Sequence, residues 1–236
     1  MKAVILAGGI GTRLRPYTIT IPKPLLPIGN HSALEILIRQ LVRVGVHDIR
    51  LTIAYQANLL QSMFGNGSRW GAEIDYFVES EPLGTAGCLA KLGKWFDQPL
   101  LVCNGDLLTT INFADLIHEH SRRQADITIA VRQQVVNVPY GVVDFSPSGE
   151  LADYCEKPQL SYWVSTGIYV VSPTVARLIP NDQPLDMPTL HMRARGAGLR
   201  VICLPRHDPW FDIGALDDYD RACQAFAASP ELFLQQ

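Results

Sequence analysis

The stretch Lys2-Ala-Val-Ile-Leu-Ala-Gly-Gly-Ile-Gly-Thr-Arg-Leu-Arg-Pro16 decides the fold. Its first half is a short apolar run with β-branched residues, which reads as a buried strand. It empties at once into Gly8, Gly9 and Gly11, followed by Thr12 and Arg13. Lacking a Cβ, such glycines let the backbone take φ > 0 and come close to an anion with its N–H groups aimed at it. Arg13, and Lys23 within Pro22-Lys-Pro24, add positive charge. The spacing separates this loop from two common phosphate binders. Leu14 stands where the dinucleotide fingerprint has its third glycine, which disfavours a dehydrogenase, and the P-loop pattern is missing too. On these residues alone, a tight turn flanked by two solvated cations remains the alternative.

Working outward, short apolar runs alternate with helix-period segments. Residues 3–6, 49–54, 74–78, 100–103, 127–131, 167–171 and 199–204 read as strands. Ser32 with Glu35 three residues on forms a capping box, after which Leu34, Leu37, Ile38, Leu41 and Val42 recur at helical spacing until Gly45. Asn112 and Ser172-Pro173 mark two more helix starts. A last amphipathic helix carries Tyr219, Ala222, Cys223 and Phe226 on one face. Strand and helix alternation predicts an α/β, Rossmann-like three-layer sandwich with a mostly parallel central sheet, in which ligands sit at the carboxyl ends of the strands.

Composition narrows the class. At 236 residues, 47% hydrophobic and 18% charged, the chain buries a sizeable core within one domain, residues 1–236. The net charge is -3 with scattered Lys and Arg, which offers no basic face to nucleic acid or to an anionic membrane. No apolar run approaches the ~18 residues of a membrane span. Five cysteines without a CxxC pair, three of them in strand-like runs, predict buried free thiols and a cytoplasmic protein.

Five blocks, in order, give the loop its meaning. Gly8-Gly-x-Gly-Thr-Arg-Leu-x-Pro-x-Thr18 with Pro22-Lys-Pro24 is followed by Glu81-Pro-Leu-Gly-Thr-Ala-Gly87, Asn104-Gly-Asp106, Glu156-Lys-Pro158 and Trp210-Phe-Asp-Ile-Gly214. Together they resemble the sugar-1-phosphate nucleotidyltransferases, over nearly the whole chain. The resemblance implies an enzyme that joins a nucleoside triphosphate to a sugar 1-phosphate and releases pyrophosphate. It implies a nucleotide site of Leu6, Ala7, Gly8, Gly9, Gly11, Thr12, Arg13, Lys23, Glu81, Gly84, Thr85 and Ala86. Arg13 would stabilise charge on the departing pyrophosphate and Lys23 would bridge phosphates. Asp106 and Asp212 would hold Mg2+, which prefers oxygen ligands and commonly takes one or two carboxylates plus substrate phosphates. For either aspartate taken alone, a turn or helix cap is the plainer reading.

For the sugar phosphate, the implied residues are Asn104, Gly141, Glu156, Lys157, Thr166 and Gly167. Ser165-Thr166-Gly167 departs from the Asn-Ala-Gly of many relatives and removes a side-chain amide, which leaves the sugar open. The segment 81–87 looks more like guanylyltransferases than thymidylyltransferases, so GTP with a mannose-like hexose or heptose 1-phosphate is expected. The alternatives are UTP, dTTP or CTP with another sugar 1-phosphate, such as glucose or N-acetylmuramic acid 1-phosphate. A catalytically silent nucleotide-sugar-binding subunit would lose a phosphate cation or metal carboxylate, whereas this chain retains Arg13, Lys23, Asp106 and Asp212. Too few residues follow Asp212 for an appended β-helix domain, so a single-activity transferase is expected, with a homo-oligomer open. His207, Trp70 and Trp163 read as packing residues.

Overall fold

The computed structural model describes residues 1–234. Seven strands form the central sheet: β1 (Lys2–Leu6), β2 (Asp48–Ile53), β3 (Glu73–Val78), β4 (Leu100–Asn104), β5 (Ile127–Asn137), β6 (Gln159–Val171) and β7 (Val201–Arg206). Their order is β7-β5-β6-β4-β1-β2-β3. β6 runs antiparallel to both its neighbours. The remaining pairs are parallel.

Alternate side chains feed the two faces, as a strand period of two requires. Ile5, Leu51, Cys103, Ile168 and Val170 meet Leu37 and Leu41 of helix Ala33–Arg43, Leu60 and Phe64 of helix Ala57–Phe64, and Leu116 of helix Phe113–Arg122. Val4, Val102, Tyr169 and Val171 pack on the other side against Cys88, Leu89, Val175 and Leu190. The result is the three-layer α/β sandwich predicted from the strand and helix pattern. A third cluster of Leu14, Ile28, Ile213, Phe226 and Phe233 ties the turn after the glycine loop to the C-terminal helices.

The capping box forms by half. Ser32 Oγ accepts the Glu35 amide at 3.2 Å. The Glu35 carboxylate turns instead to the His31 ring and the Arg39 guanidinium, both at 2.9 Å, and the charge-assisted bond from Arg39 outcompetes a backbone amide. Gly45, at φ 81°, closes that helix, with Val46 N donating to Leu41 O. Asn112 caps its helix through the Ala114 and Asp115 amides. Pro173 does begin a helical segment, but of the tighter 3-10 kind, Pro173–Leu178.

β5 and β6 run well past the expected 127–131 and 167–171, projecting as an exposed two-stranded ribbon. A hairpin of Val142–Phe145 and Leu151–Cys155 follows, unseen in the sequence because polar and apolar residues mix there without a clean period. All five cysteines are free, as expected. Only Cys88 and Cys103 are fully buried, whereas Cys155 and Cys203 are exposed.

Candidate active site

The chain runs from β1 outward through β2 and β3, then crosses back to β4 on the other side of β1. This reversal of strand order leaves a crevice at the carboxyl ends of β1 and β4. Leu6 pairs with Asn104 across it, and Gly105 N donates to Leu6 O at 2.8 Å. A cleft of about 300 Å³ opens there, lined by Leu6, Gly8, Gly9, Thr52, Glu79, Pro82, Gly84, Thr85, Asn104 and Asp106.

In the glycine loop only Gly11 takes a positive φ, 67°. Thr18 Oγ1 donates to Gly11 O at 2.7 Å, and a Cβ on Gly11 would lie 3.0 Å from the Thr18 methyl. Gly8 and Gly9 have ordinary φ, contrary to the expectation from the motif. A Cβ on Gly9 would meet nothing within 4 Å. These two glycines therefore leave the cleft wall bare rather than bend the chain. Thr12 and Arg13 follow in an exposed 3-10 turn pinned by buried Leu14. The Arg13 guanidinium reaches over Gly214, where a Cβ would stand 3.1 Å from Nη2 and 3.2 Å from Asp212 Oδ2.

Two strand ends bring the carboxylates together. Gly105 sits so close to β1 that a Cβ would lie 3.1 Å from Ile5 and 3.2 Å from Leu6 O, and this lets the chain turn into Asp106. Leu107–Thr109 then pairs antiparallel with Trp210–Asp212, and Ile213 N donates to Asp106 O at 3.0 Å. Lys23 Nζ lies between the two side chains, in contact with Asp106 Oδ2 and 3.5 Å from Asp212 Oδ1. The resemblance implies phosphate partners for Lys23; in the protein alone its partners are the aspartates. Burial pushes the Asp106 carboxyl above its ordinary range, Lys23 pulls it back, and the Asp212 charge raises it again. Its other oxygen, Oδ1, is buried without a hydrogen-bond partner. An orphaned carboxylate oxygen beside a second carboxylate suits a hard divalent cation.

The 81–87 segment differs from expectation in detail. Glu81 is exposed and does not line the cleft, whereas Glu79 does. Glu79 is the first residue after β3, at the carboxyl edge where ligands bind, and that position was the available signal. Its Oε2 accepts the Leu83 amide at 3.3 Å, and burial raises its carboxyl. Thr52, at the end of β2, was hidden in an apolar run. Gly84 and Gly87 are explained by packing rather than by a flat ring. A Cβ on Gly84, at φ 73°, would sit 2.5 Å from Leu185 O, and one on Gly87 2.9 Å from Gln183 O. Ala86 is fully buried in the core. Thr85 Oγ1 accepts the Met187 amide at 2.8 Å.

Of the expected sugar-phosphate residues, Asn104 lines the cleft. Gly167, at φ 75°, lies against it, since a Cβ would come 2.5 Å from Asn104 Nδ2. Thr166 cannot offer its hydroxyl: the side chain is buried and donates to Ala130 O at 2.9 Å, at the bulge where β6 changes register. Gly141, Glu156 and Lys157 lie together on the projecting ribbon. Tyr154 Oη donates to Glu156 Oε2 at 3.1 Å, Lys157 N donates to Tyr140 O at 3.2 Å, and Lys157 takes φ 47°. Trp70 packs on Phe64, and exposed Trp163 stands edge-on to His207.

A glycine-walled cleft at a strand-order reversal, with Asp106 in its lining and Lys23 and Asp212 beside that carboxylate, is the site this α/β sandwich presents. The sequence matches the profile of the Nucleotidyl transferase family over residues 2–229, and the chain belongs to that family. It is 38% identical to the mannose-1-phosphate guanylyltransferase catalytic subunit beta of Danio rerio, over 93% of this chain and 62% of that protein. It is 34% identical to the UTP–glucose-1-phosphate uridylyltransferase of Synechocystis sp., over 94% of this chain and 62% of that protein. The chain thus spans under two thirds of the length of these curated relatives. Among solved structures, HddC from Yersinia pseudotuberculosis complexed with GMP-PN superimposes with a TM-score of 0.73 at 26% identity, covering 95% of this chain and 99% of that one. A putative glucose-1-phosphate thymidylyltransferase from Bacillus anthracis shares the fold, with a TM-score of 0.77 at 23% identity over 95% and 94% of the two chains. Among the described residues no helix is long and apolar enough to cross a membrane.

Proposed function

We propose that the protein transfers a nucleotidyl group from a nucleoside triphosphate, GTP in preference, to a mannose-like hexose or heptose 1-phosphate, releasing pyrophosphate. The observation that carries this reading is the convergence of Lys23 and Asp212 on Asp106, which lines the glycine-walled cleft. The attacking phosphate oxygen is already anionic. No general base or covalent nucleophile is needed, and catalysis reduces to positioning and charge neutralisation. Gly8, Gly9, Gly11 and Thr12 hold the phosphates, and Arg13, poised over Gly214, steadies the departing pyrophosphate. Glu156 and Lys157 on the ribbon hold the sugar hydroxyls and the sugar phosphate. Mg2+, when bound by Asp106 and Asp212, would neutralise and align phosphate oxygens.

The preference for GTP rests on two supports. One is the guanylyltransferase names among relatives at 32–38% identity. The other is Glu79: a carboxylate in the cleft can accept two hydrogen bonds, from the N1–H and N2 amino group of guanine, whereas uracil and thymine offer it only one N3–H flanked by two carbonyl oxygens. The test is a matrix of nucleoside triphosphates against sugar 1-phosphates, scored by pyrophosphate release. GTP should exceed UTP, dTTP and CTP in kcat/KM by at least about tenfold, ~1.4 kcal/mol of discrimination. The reverse order would reject the base assignment, and no release with any pair would reject the activity.

A further inference from the structure

Lys23 is 9% exposed and sits between two prolines in a 3-10 turn. Leu25 N bonds to Pro22 O at 2.8 Å and Leu26 N to Lys23 O at 3.1 Å, so the backbone there is fixed. Only the side-chain torsions can move Nζ. Its contacts to Asp106 and Asp212 are the only ion pairs those carboxylates make among the described residues. The ammonium offsets one of the two negative charges and leaves the trio at a net −1. A divalent cation entering beside that ammonium would face a like charge across a few ångströms of largely buried space. It would also compete for the same oxygens, Asp106 Oδ2 and Asp212 Oδ1.

We infer that Lys23 is the built-in placeholder cation of the carboxylate pair and withdraws toward the phosphates when a metal–triphosphate complex arrives, so that the nucleotide-free protein holds a divalent ion weakly. A triphosphate supplies the negative partners that draw Nζ off the aspartates, and the vacated oxygens then receive the metal. Metal and nucleotide therefore enter as one unit, and the pair stays closed to free cations. This rests on the proposed metal role of Asp106 and Asp212.

The test measures Mn2+ binding by electron paramagnetic resonance, with and without a non-hydrolysable GTP analogue. It compares wild type, Lys23→Met and the double variant Lys23→Met/Asp106→Asn. Without nucleotide, Lys23→Met should bind Mn2+ at least tenfold more tightly than wild type, and the double variant should lose the gain. Thermal melts give a second readout, with Mn2+ alone raising the melting point of Lys23→Met but not of wild type. Mn2+ bound no more tightly by Lys23→Met, while wild type binds it with the analogue, overturns the placeholder role and leaves the metal reading standing. Absence of Mn2+ binding even with the analogue overturns both. If Lys23→Met does not fold, Lys23→Gln carries the same test: Mn2+ bound at least tenfold more tightly than by wild type without nucleotide supports the inference, and equal affinity overturns it.

Discussion

Changing Asp106 to Asn keeps the side chain's size and removes one charge from the lining of the cleft. The effect on stability follows from its neighbours. Lys23 loses its contact with Asp106 but keeps Asp212 at 3.5 Å. At an effective dielectric of about 20, that remaining pair has a gross attraction of about 5 kcal/mol, so the lysine is not left stranded. Neutralising Asp106 also relieves the burial and the repulsion from Asp212 that hold its carboxyl above the ordinary range. The opposed effects leave the unfolding free energy within about 1 kcal/mol of wild type, a shift of at most ~4 °C in Tm. Activity should behave quite differently. Losing a carboxylate that would hold Mg2+ against the reacting phosphates costs roughly 10³-fold in turnover, about 4 kcal/mol. Asp212→Asn should do the same, and the double variant should fall little below the worse single, because the two serve one centre. Magnesium-titrated pyrophosphate release, normalised to folded protein by parallel melts, reads both effects. Near-normal turnover in either variant, or a loss that merely tracks unfolding, refutes the reasoning.

Gly84→Ala forces a Cβ to 2.5 Å from Leu185 O at a positive φ; it should cost at least about 2 kcal/mol, lowering Tm by several degrees. Gly9→Ala meets nothing within 4 Å and should melt like wild type while raising KM for the triphosphate; an unchanged KM would remove Gly9 from the nucleotide wall. Lys157→Ala should raise KM for the sugar phosphate far more than for the triphosphate, and equal increases would show its role misassigned. His191, against Tyr169 at 5.1 Å, is held by burial at about 4, below its ordinary 6.5, with Asp186 opposing. Because the folded value is the lower one, stability is full above pH 6.5 and drains as pH falls toward 4, by up to about 3 kcal/mol. Urea titrations across that range should show the loss shrinking in His191→Leu, and an identical pH profile would refute it.

The sheet was legible because its buried strands are short and uniformly apolar, as at residues 3–6 and 100–103. The ribbon was not, since an element exposed on both faces carries no burial period to read. The carboxylate pair and the loop were found through ordered motifs, which name residues but not their directions. Hence Thr166 looked available although its hydroxyl is committed to Ala130. Glu81 stood out within its block, while Glu79 reached the cleft from two positions earlier, because the turn after β3 sets which side chain faces inward. The glycines show the same limit. Gly84 and Gly87 answer to neighbouring backbone, Gly8 has only an ordinary contact with Ala54, and Gly9 faces open space, a distinction composition cannot make.

The ribbon also divides the protein by how freely it can vary. Around the nucleotide cleft, Gly84, Gly105 and Gly167 are each fixed by atoms within about 3 Å of any added side chain. On the ribbon, Val142–Phe145 and Leu151–Cys155 are exposed throughout, so substitutions there disturb no core contact. Under the proposed roles, Glu156 and Lys157, which meet the sugar and its phosphate, sit beside these tolerant strands, whereas Gly84 and Gly105 at the nucleotide cleft are tightly packed. Side chains along those exposed strands should therefore accept exchange at little cost in folding, while the cleft glycines Gly84 and Gly105 should not.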